Sequence, residues 1–402
     1  MRPACSIPDP IASVDRACPP DETFDRVSPY LRQFGITRLA RHTGLDRIGV
    51  PVWCAYAPNS RSIVVAQGKG LTDSDARTSA VMEALERAVA GDPAVPARLA
   101  DRATLISEDA VAEPLDELLA LGRKGLTDGD VLDWLSGQEL IHRRLAYVPR
   151  DAALLDRTRS DNRYWMSSDG LASGNTTEEA MLHGILERIE RDAFLLWQVT
   201  SAERRYRAGV RPVAFADDRV SDLADRFDAA GLTFRLFDIT SDIGVPTFSC
   251  FLAPRGVETA RQTRYVDVSH GCGTHPDPAR AVLRAMTEAA QSRMTFISGA
   301  RDDASRETFE QVLPEETRQA FLADVPERAR YMPFASLDMH GLIEHVLGLL
   351  RKAKVPRVIC VPLQAPGLPF SVVKTFIPAL ENPDDTRARR FGPRALSKAF
   401  LS

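Results

Sequence analysis

Residues 185–197 read ILERIERDAFLLW, two glutamates three residues apart inside an otherwise apolar helical run. Carboxylates at i and i+3 share a helix face and repel, mildly in water and strongly once desolvated. A fold that uses the apolar residues here must therefore bring positive charge to Glu187 and Glu190. The pattern recurs. One segment carries Ser79, Glu83, Glu86 and Arg87, a second carries Glu179, Glu187, Glu190 and Arg191, and a third carries Arg284, Glu288, Gln291 and Arg293. The first and third follow i, i+4, i+7, a single helical stripe. In the second, Glu187 and Glu190 fall at roughly 80° and 20° from Glu179 at 3.6 residues per turn, so the same face is reached.

A lone ExxER is usually a solvated face with a Glu-Arg pair. Here the acids are embedded among Leu182, Ile185, Leu186, Ile189, Phe194 and Leu195, and the pattern is repeated on three helices. Arg87, Arg191 and Arg284 supply some compensating charge. Carboxylate oxygens without histidine or cysteine suit a hard cation, and Mg²⁺ typically binds a few carboxylates together with substrate phosphates. The spacing thus predicts a magnesium-nucleotide site.

Composition narrows the alternatives. With 402 residues, 44% hydrophobic and 26% charged, the chain can bury a sizeable core. A net charge of -4 without a long basic block argues against nucleic-acid binding. The first residues, MRPACSIPDPIASVD, lack the apolar core of a signal peptide, and no run approaches a membrane span, so a cytoplasmic protein is expected. Cys5, Cys18, Cys54, Cys250, Cys272 and Cys360 are scattered without a CxxC pair, which predicts reduced thiols, with Cys54 and Cys250 in buried strands.

Two segments resemble each other, DRIGVPVWCAYAP at 46–58 and SDIGVPTFSCFLAP at 241–254. Each reads as a Gly-Pro turn feeding a strand, followed by a second strand, a glycine pair and a long helix. This predicts two pseudo-duplicated strand-strand-helix halves around a shared cleft, in one α+β domain spanning 1–402. Residues 93–129 read as a variable helical region, Thr176 or Thr177 with Glu179 as a helix start, 370–382 as a strand and 383–402 as a tail. The loop GKGLTDSD has glycines and Lys69 but not P-loop spacing, no HExxH occurs, and GNTTEEA lacks the GxGxxG order. His270 and His275, flanking GCGT, read as structural loop histidines, with proton transfer as the alternative.

The segment 79–87 (SxxxExxER), the SSDGLASGNTTEEA loop with ERIERDAF, and GCGTHPDPARAVLRAMTEAAQSR followed by GARDD together resemble the YcaO family, over about 23–380. The resemblance implies a YcaO-like fold and an enzyme using ATP and Mg²⁺ to activate a peptide backbone amide. In that family a nucleophile attacks the amide carbonyl, the amide oxygen takes the γ-phosphoryl group, and phosphate leaves. It further implies Glu83, Glu86, Glu179, Glu187, Glu190 and Glu288 as Mg²⁺ ligands. Ser79, Asn175, Arg191 and Arg284 are implied as nucleotide and phosphate contacts, Arg16 and Thr23 as an N-terminal phosphate-binding pair, and Gln291 as a residue orienting Glu288 or a phosphate oxygen.

Two departures bear on the reaction. Ser168-Asp169-Gly170 stands where many members read Ser-Asn-Gly, and the ending FGPRALSKAFLS lacks the PxPxP common in azoline-forming members. Residues 1–20 are too short for a leader-peptide-binding domain, which predicts a separate partner. The expected reaction is thioamide formation on a ribosomally made peptide or protein, with a TfuA-like protein and a sulfur donor as partners and a homodimer open. The alternatives are azoline formation by a cyclodehydratase, a non-catalytic binding platform, and an ATP-dependent enzyme acting on a small molecule.

Overall fold

The computed structural model describes residues 15–260, 262–326, 330–364, 366–383, 385 and 387–401. Strands β1 (Arg38–Arg41), β2 (Val52–Tyr56) and β3 (Val65–Lys69) form an antiparallel meander. A second sheet begins with β4 (Ala97–Ala100), β5 (Val111–Ala112), β6 (Leu132–Glu139), β7 (Arg144–Pro149) and β8 (Leu171–Gly174). A third sheet has the order β12-β11-β10-β9, from β9 (Gly209–Val210), β10 (Leu232–Asp238), β11 (Thr247–Pro254) and β12 (Ser269–Thr274). The chain then returns to the second sheet with β13 (Ile359–Pro362) and β14 (Ser371–Phe376), giving the order β5-β7-β6-β13-β14-β8 with β4 also on β6. The α+β class is as expected, and Cys54 and Cys250 lie fully buried on β2 and β11. Cys5 lies outside the described residues.

Four helices frame the region where the acidic stripes lie: α1 (Asp73–Gly91), α2 (Thr177–Gln198), α3 (Pro278–Ser298) and α4 (Met339–Lys352). The first three start by one device. A strand ends, a short polar side chain caps the helix, and the helix folds back over that strand. Thr72 caps α1 in a reciprocal box with Asp75, Thr176 accepts from Glu179 N at 3.2 Å, and Asp277 accepts from Ala279 N at 2.9 Å. Each helix packs on its own strand (α1 on β3, α2 on β8, α3 on β12) and touches the next unit's strand, α1 reaching β8, α2 reaching β12 and α3 reaching β3. The result is a closed cycle of three strand-helix steps. The two similar sequence segments hold β2 and β11, which pair with β3 and β12 of the first and third steps; the strand of the second, β8, pairs with β14.

Glycine makes the close seating possible. A methyl group at Gly68 of β3 would overlap backbone atoms of Ala76 and Ala80 on α1, and one at Gly271 of β12 would overlap those of Ala285 and Ala289 on α3. The cores are divided accordingly. One joins α1 to the second sheet through Val81, Leu85, Leu171, Val372 and Phe376, a second joins α3 to the third sheet, and a third joins α2 and α4 to β13 and β14.

The 93–129 stretch is less helical than the sequence suggests. Only Arg102–Ser107 forms an α-helix, between β4 and β5, because Pro93, Pro96, Pro114 and three glycines interrupt any longer one. The end of the chain is anchored: Arg394 in the helix Pro393–Leu401 pairs with buried Asp192 of α2 at 2.9 Å, and Glu381 accepts from Gly392 N and Ala395 N at 2.7 and 2.9 Å.

Gly68→Ala and Gly271→Ala should each cost at least ~3 kcal/mol, because backbone rather than a side-chain tip must move. Gly348→Ala, in α4 with open space around the added methyl, should gain about 0.5–1 kcal/mol. Urea unfolding of the three variants checks both signs.

Candidate active site

The cycle turns the three acidic stripes toward common ground. Glu86 is buried on α1 and its Oε2 accepts from Ser173 Oγ of β8 at 3.2 Å. Glu83, half-buried one turn earlier, accepts from Arg87 Nε at 3.0 Å. On α2, Glu187 accepts from Gly170 N at 3.1 Å and from Arg191 Nη2 at 3.3 Å, while Arg191 Nε lies 3.2 Å from Asp169 Oδ1. Asp169, the residue that departs from the family's asparagine, is thus held as a second anion on Arg191. On α3, Glu288 Oε2 receives Lys69 Nζ at 2.7 Å, and Gln291 Nε2 donates to Gln67 O at 2.6 Å. Glu190 is buried and makes no hydrogen bond among the described residues.

The electrostatics show a surplus of negative charge. Burial, then Glu288, pushes the Glu190 carboxyl up to about 7, against the pull of Arg191 and Arg284. Burial, then Glu187 and Glu83, holds Glu86 well above the usual carboxylate range. Glu187 is also raised, by burial first, and Glu288 is lowered by the cations Lys69 and Arg191 despite its burial. Arg191 is the shared counter-ion, within electrostatic reach of Glu187, Asp169, Glu190 and Glu288.

A basic zone adjoins the acidic one. Arg16 Nη1 pairs with Glu179 Oε1 at 2.8 Å, and Glu179 Oε2 accepts from Ala17 N, Asn175 N and Asn175 Nδ2 at 3.1 to 3.2 Å. His183 sits one turn from both Glu179 and Glu187 on the same stripe. Burial, then Arg284, Arg16 and Lys69, pushes its imidazole well below the ordinary histidine range, so it stays neutral. Arg284 forms no ion pair among the described residues. Glu86 and Glu288 on neighbouring helices and the cations Arg16, Lys69 and Arg284 thus surround the α2 stripe of Glu187 and Glu190, the charge arrangement that a metal and an anionic ligand would complete together.

The sequence-predicted residues divide clearly. Glu86, Glu187, Glu190, Glu288, Arg191 and Arg284 are brought into one electrostatic neighbourhood, with Glu83 at its α1 edge and Glu179 and Asn175 at the N-terminus of α2. Ser79 is exposed and Thr23 buried, its hydroxyl donating to Pro19 O at 3.2 Å. Arg16 reaches a carboxylate. Among the described residues no three aspartates, glutamates, histidines or cysteines converge as a ready-made metal cage. Glu83, Glu179, Glu187 and Glu288 each pair with a cation, and Glu86 accepts from the Ser173 hydroxyl. The donors are oxygens, and three of the acids, Glu86, Glu187 and Glu190, are raised by burial and neighbouring carboxylates, so the set fits a hard divalent cation. His270 Nε2 meets Ser249 Oγ at 2.8 Å and its ring stacks on Phe194 at 4.6 Å, while His275 accepts from Asp277 N at 2.9 Å and lies 3.5 Å from Asp15. His270 thus lies on β12 rather than in a loop, while His275 follows the end of that strand. Sequence reading passed over His183, although its i+4 spacing from Glu179 marks it, and Lys374, which no motif marks.

A family model described as YcaO cyclodehydratase, ATP- and Mg²⁺-binding, matches residues 67–381. The chain belongs to the YcaO family. A protein of Rhizobium leguminosarum bv. trifolii, known by its place in the tfuA 3' region, is 36% identical over 396 residues, 95% of this chain and 92% of that protein. Among solved structures, a heterocyclase in complex with substrate and cofactor superposes with a TM-score of 0.74 at 21% identity, over 91% of this chain and 53% of that one. This chain thus spans about half the length of that heterocyclase. The YcaO protein of Methanopyrus kandleri bound with AMPPCP and Mg²⁺ matches with a TM-score of 0.65 at 22% identity, over 92% of this chain and 94% of that one. The YcaO fold is therefore shared with both structures, and the family binds ATP and Mg²⁺.

Glu190 has a consequence for stability. A carboxyl raised above its unfolded value stabilises the fold fully below about pH 4.5, and that stability is lost as pH rises toward 7. Metal-free protein should therefore unfold more easily at pH 8 than at pH 6. Glu190→Gln should flatten the difference and stabilise the protein at pH 8 by ~1–3 kcal/mol. Urea unfolding at the two pH values decides; an unchanged slope in the variant would assign the effect to another group.

Proposed function

We propose that this YcaO protein uses ATP and Mg²⁺ to activate a peptide backbone amide by O-phosphorylation, leading to a thioamide in a ribosomally made peptide or protein. The observation that carries the ATP and Mg²⁺ part is the acid-rich neighbourhood of Glu86, Glu187, Glu190 and Glu288 around Arg191, adjoining the cations Lys69, which pairs with Glu288, and Arg284, which acts on Glu190. The preference for sulfur draws on the relative placed beside tfuA. All residues 1–402 would serve as one catalytic domain, in the cytoplasm, with a TfuA-like partner delivering sulfur and a homodimer compatible with it. No helix among the described residues is long and apolar enough to cross a membrane.

Bound Mg²⁺ would neutralise charge between the carboxylates and the phosphates as the phosphoryl group moves. Glu187 and Glu190, with Glu86 and Glu288, would hold it, and Glu83 and Glu179 would complete or orient that set. Ser79, Asn175, Arg16, Thr23 and Gln291 would position the nucleotide. Arg191 keeps the acids from drifting apart, and Arg284 and Lys69 offer donors to phosphate oxygens. Glu288 would have to exchange Lys69 for the metal, which frees the lysine ammonium at the moment phosphate charge arrives. Positioning and charge neutralisation are what phosphoryl transfer asks of a protein.

Azoline formation is the second reading, favoured by the family description as a cyclodehydratase and by the heterocyclase likeness. Product mass separates the two. Exchange of one oxygen for sulfur in the peptide supports the thioamide, whereas loss of one water supports the azoline. The nucleotide site has its own test. Calorimetric titration with ATP should show saturable binding only with Mg²⁺, weakened about tenfold or more in Glu187→Gln and Glu190→Gln. Equal affinity in the variants would leave the acids structural and favour a non-catalytic platform.

A further inference from the structure

Residues 15–21 cross the start of all three helices of the cycle in turn. Asp15 reaches α3, where its Oδ1 accepts from Arg280 Nη1 and its Oδ2 lies 3.5 Å from His275 Nε2. Arg16, Ala17 and Cys18 reach α2: Arg16 Nη1 and Ala17 N take the two oxygens of Glu179, and Cys18 Sγ donates to Asn175 Oδ1 at 3.2 Å. Pro20 and Asp21, which open the short helix Pro20–Val27, reach α1. Pro20 O accepts from Thr78 Oγ1 at 2.9 Å, and Asp21 Oδ1 accepts from Ser74 Oγ at 2.5 Å and Arg77 Nη2 at 3.0 Å. The segment is thus a strap across the end of the cycle where each helix begins.

The two leading side chains of the strap carry opposite charges and meet opposite charges on two helices, Asp15 a cation of α3 and Arg16 an anion of α2. Burial pushes the Asp15 carboxyl up, yet His275, Arg280 and Arg16 hold it below the ordinary carboxylate range, so it stays ionised. His275 Nδ1 accepts from Asp277 N, so the neutral ring carries its proton on Nε2, the atom nearest Asp15. Arg280 extends the α3 stripe by one turn before Arg284, and Asp15 occupies it. Exposure separates the two ends. The His275 and Arg280 side chains are 4% and 15% exposed, whereas Arg16 keeps 46% of its side chain open.

We propose that Asp15, Arg280 and His275 are positioning residues that fix the strap so that Arg16 is presented to the nucleotide phosphates. The inference rests on the reading of Arg16 as a nucleotide contact and adds the groups that act through it. A long side chain on a loose segment loses backbone and rotamer freedom when it binds an anion, and holding the chain on both sides of Arg16 removes part of that loss beforehand. Arg280 also neutralises Asp15, whose charge would otherwise repel the phosphates. Glu179 can release Arg16 because Ala17 N, Asn175 N and Asn175 Nδ2 still donate to its buried carboxylate.

Calorimetric titration of the full chain with ATP in saturating Mg²⁺ tests this, each variant first checked for folding by circular dichroism. Asp15→Asn and Arg280→Met should each weaken ATP binding about tenfold. In the Arg16→Met background, itself weakened, Arg280→Met should change the affinity by less than about twofold, since the group it acts through is already gone. Where one of the two does not fold, the other completes the same cycle with Arg16→Met. Equal factors in both backgrounds would show Arg280 acting on its own or on the fold at large and overturn the positioning role. ATP binding unchanged in both Asp15→Asn and Arg280→Met overturns it as well. The nucleotide reading fails separately, when the unsubstituted protein binds no ATP.

Discussion

Burying carboxylates together is the constraint on which the rest of this structure depends. Glu86 and Glu190 lie inside the protein, Glu187 and Glu288 at its half-buried margin, and each is close enough to another to feel its charge. Unpaired, such groups take up protons or force the structure open. The fold meets the constraint in two ways. It sets arginine at i+4 or i+1 on the same helix, as Arg87 and Arg191 show, and it brings Lys69 across from a neighbouring strand to α3. The cyclic packing of three helices on three strands is what makes those cross-unit contacts possible.

The helical stripes were legible because periodicity in one segment reports which side chains share a face. Three stripes, the cap at Thr176 and the strand at Ser371–Phe376 could all be read locally. The pairing of β8 with β14 could not, since it joins residues about two hundred positions apart and no local signal encodes it. The same reason hides Lys374, which enters the site region only through that pairing. His183 is a different kind of omission: the spacing was present, but an acid pattern draws attention away from a neutral ring among cations. Residues 93–129 looked helical from composition, yet prolines and glycines leave room for one short helix between edge strands.

Asp169 illustrates how a single departure from a family pattern can be absorbed. An added anion beside Glu187 would be unfavourable in isolation, yet Arg191 bridges the two, and Arg188 and Lys374 lie on its other side. The extra charge is therefore matched by cations already in place. The anchored tail acts on the same helix, because Arg394 binds Asp192, the residue next to Arg191. Helix α2 is thus held at its start by Arg16, in its middle by the sheet, and near its end by the tail.

The closed cycle of helix-on-strand contacts also bears on time. With backbones seated at Gly68 and Gly271, no hinge is needed to bring the acids near one another, and the rearrangements open to them are rotations of glutamate, lysine and arginine side chains. Such rotations run over picoseconds to nanoseconds, whereas domain closure takes microseconds to milliseconds. Charging this site with the metal and nucleotide that the family binds would then be limited by diffusion and loss of hydration water rather than by motion of the backbone.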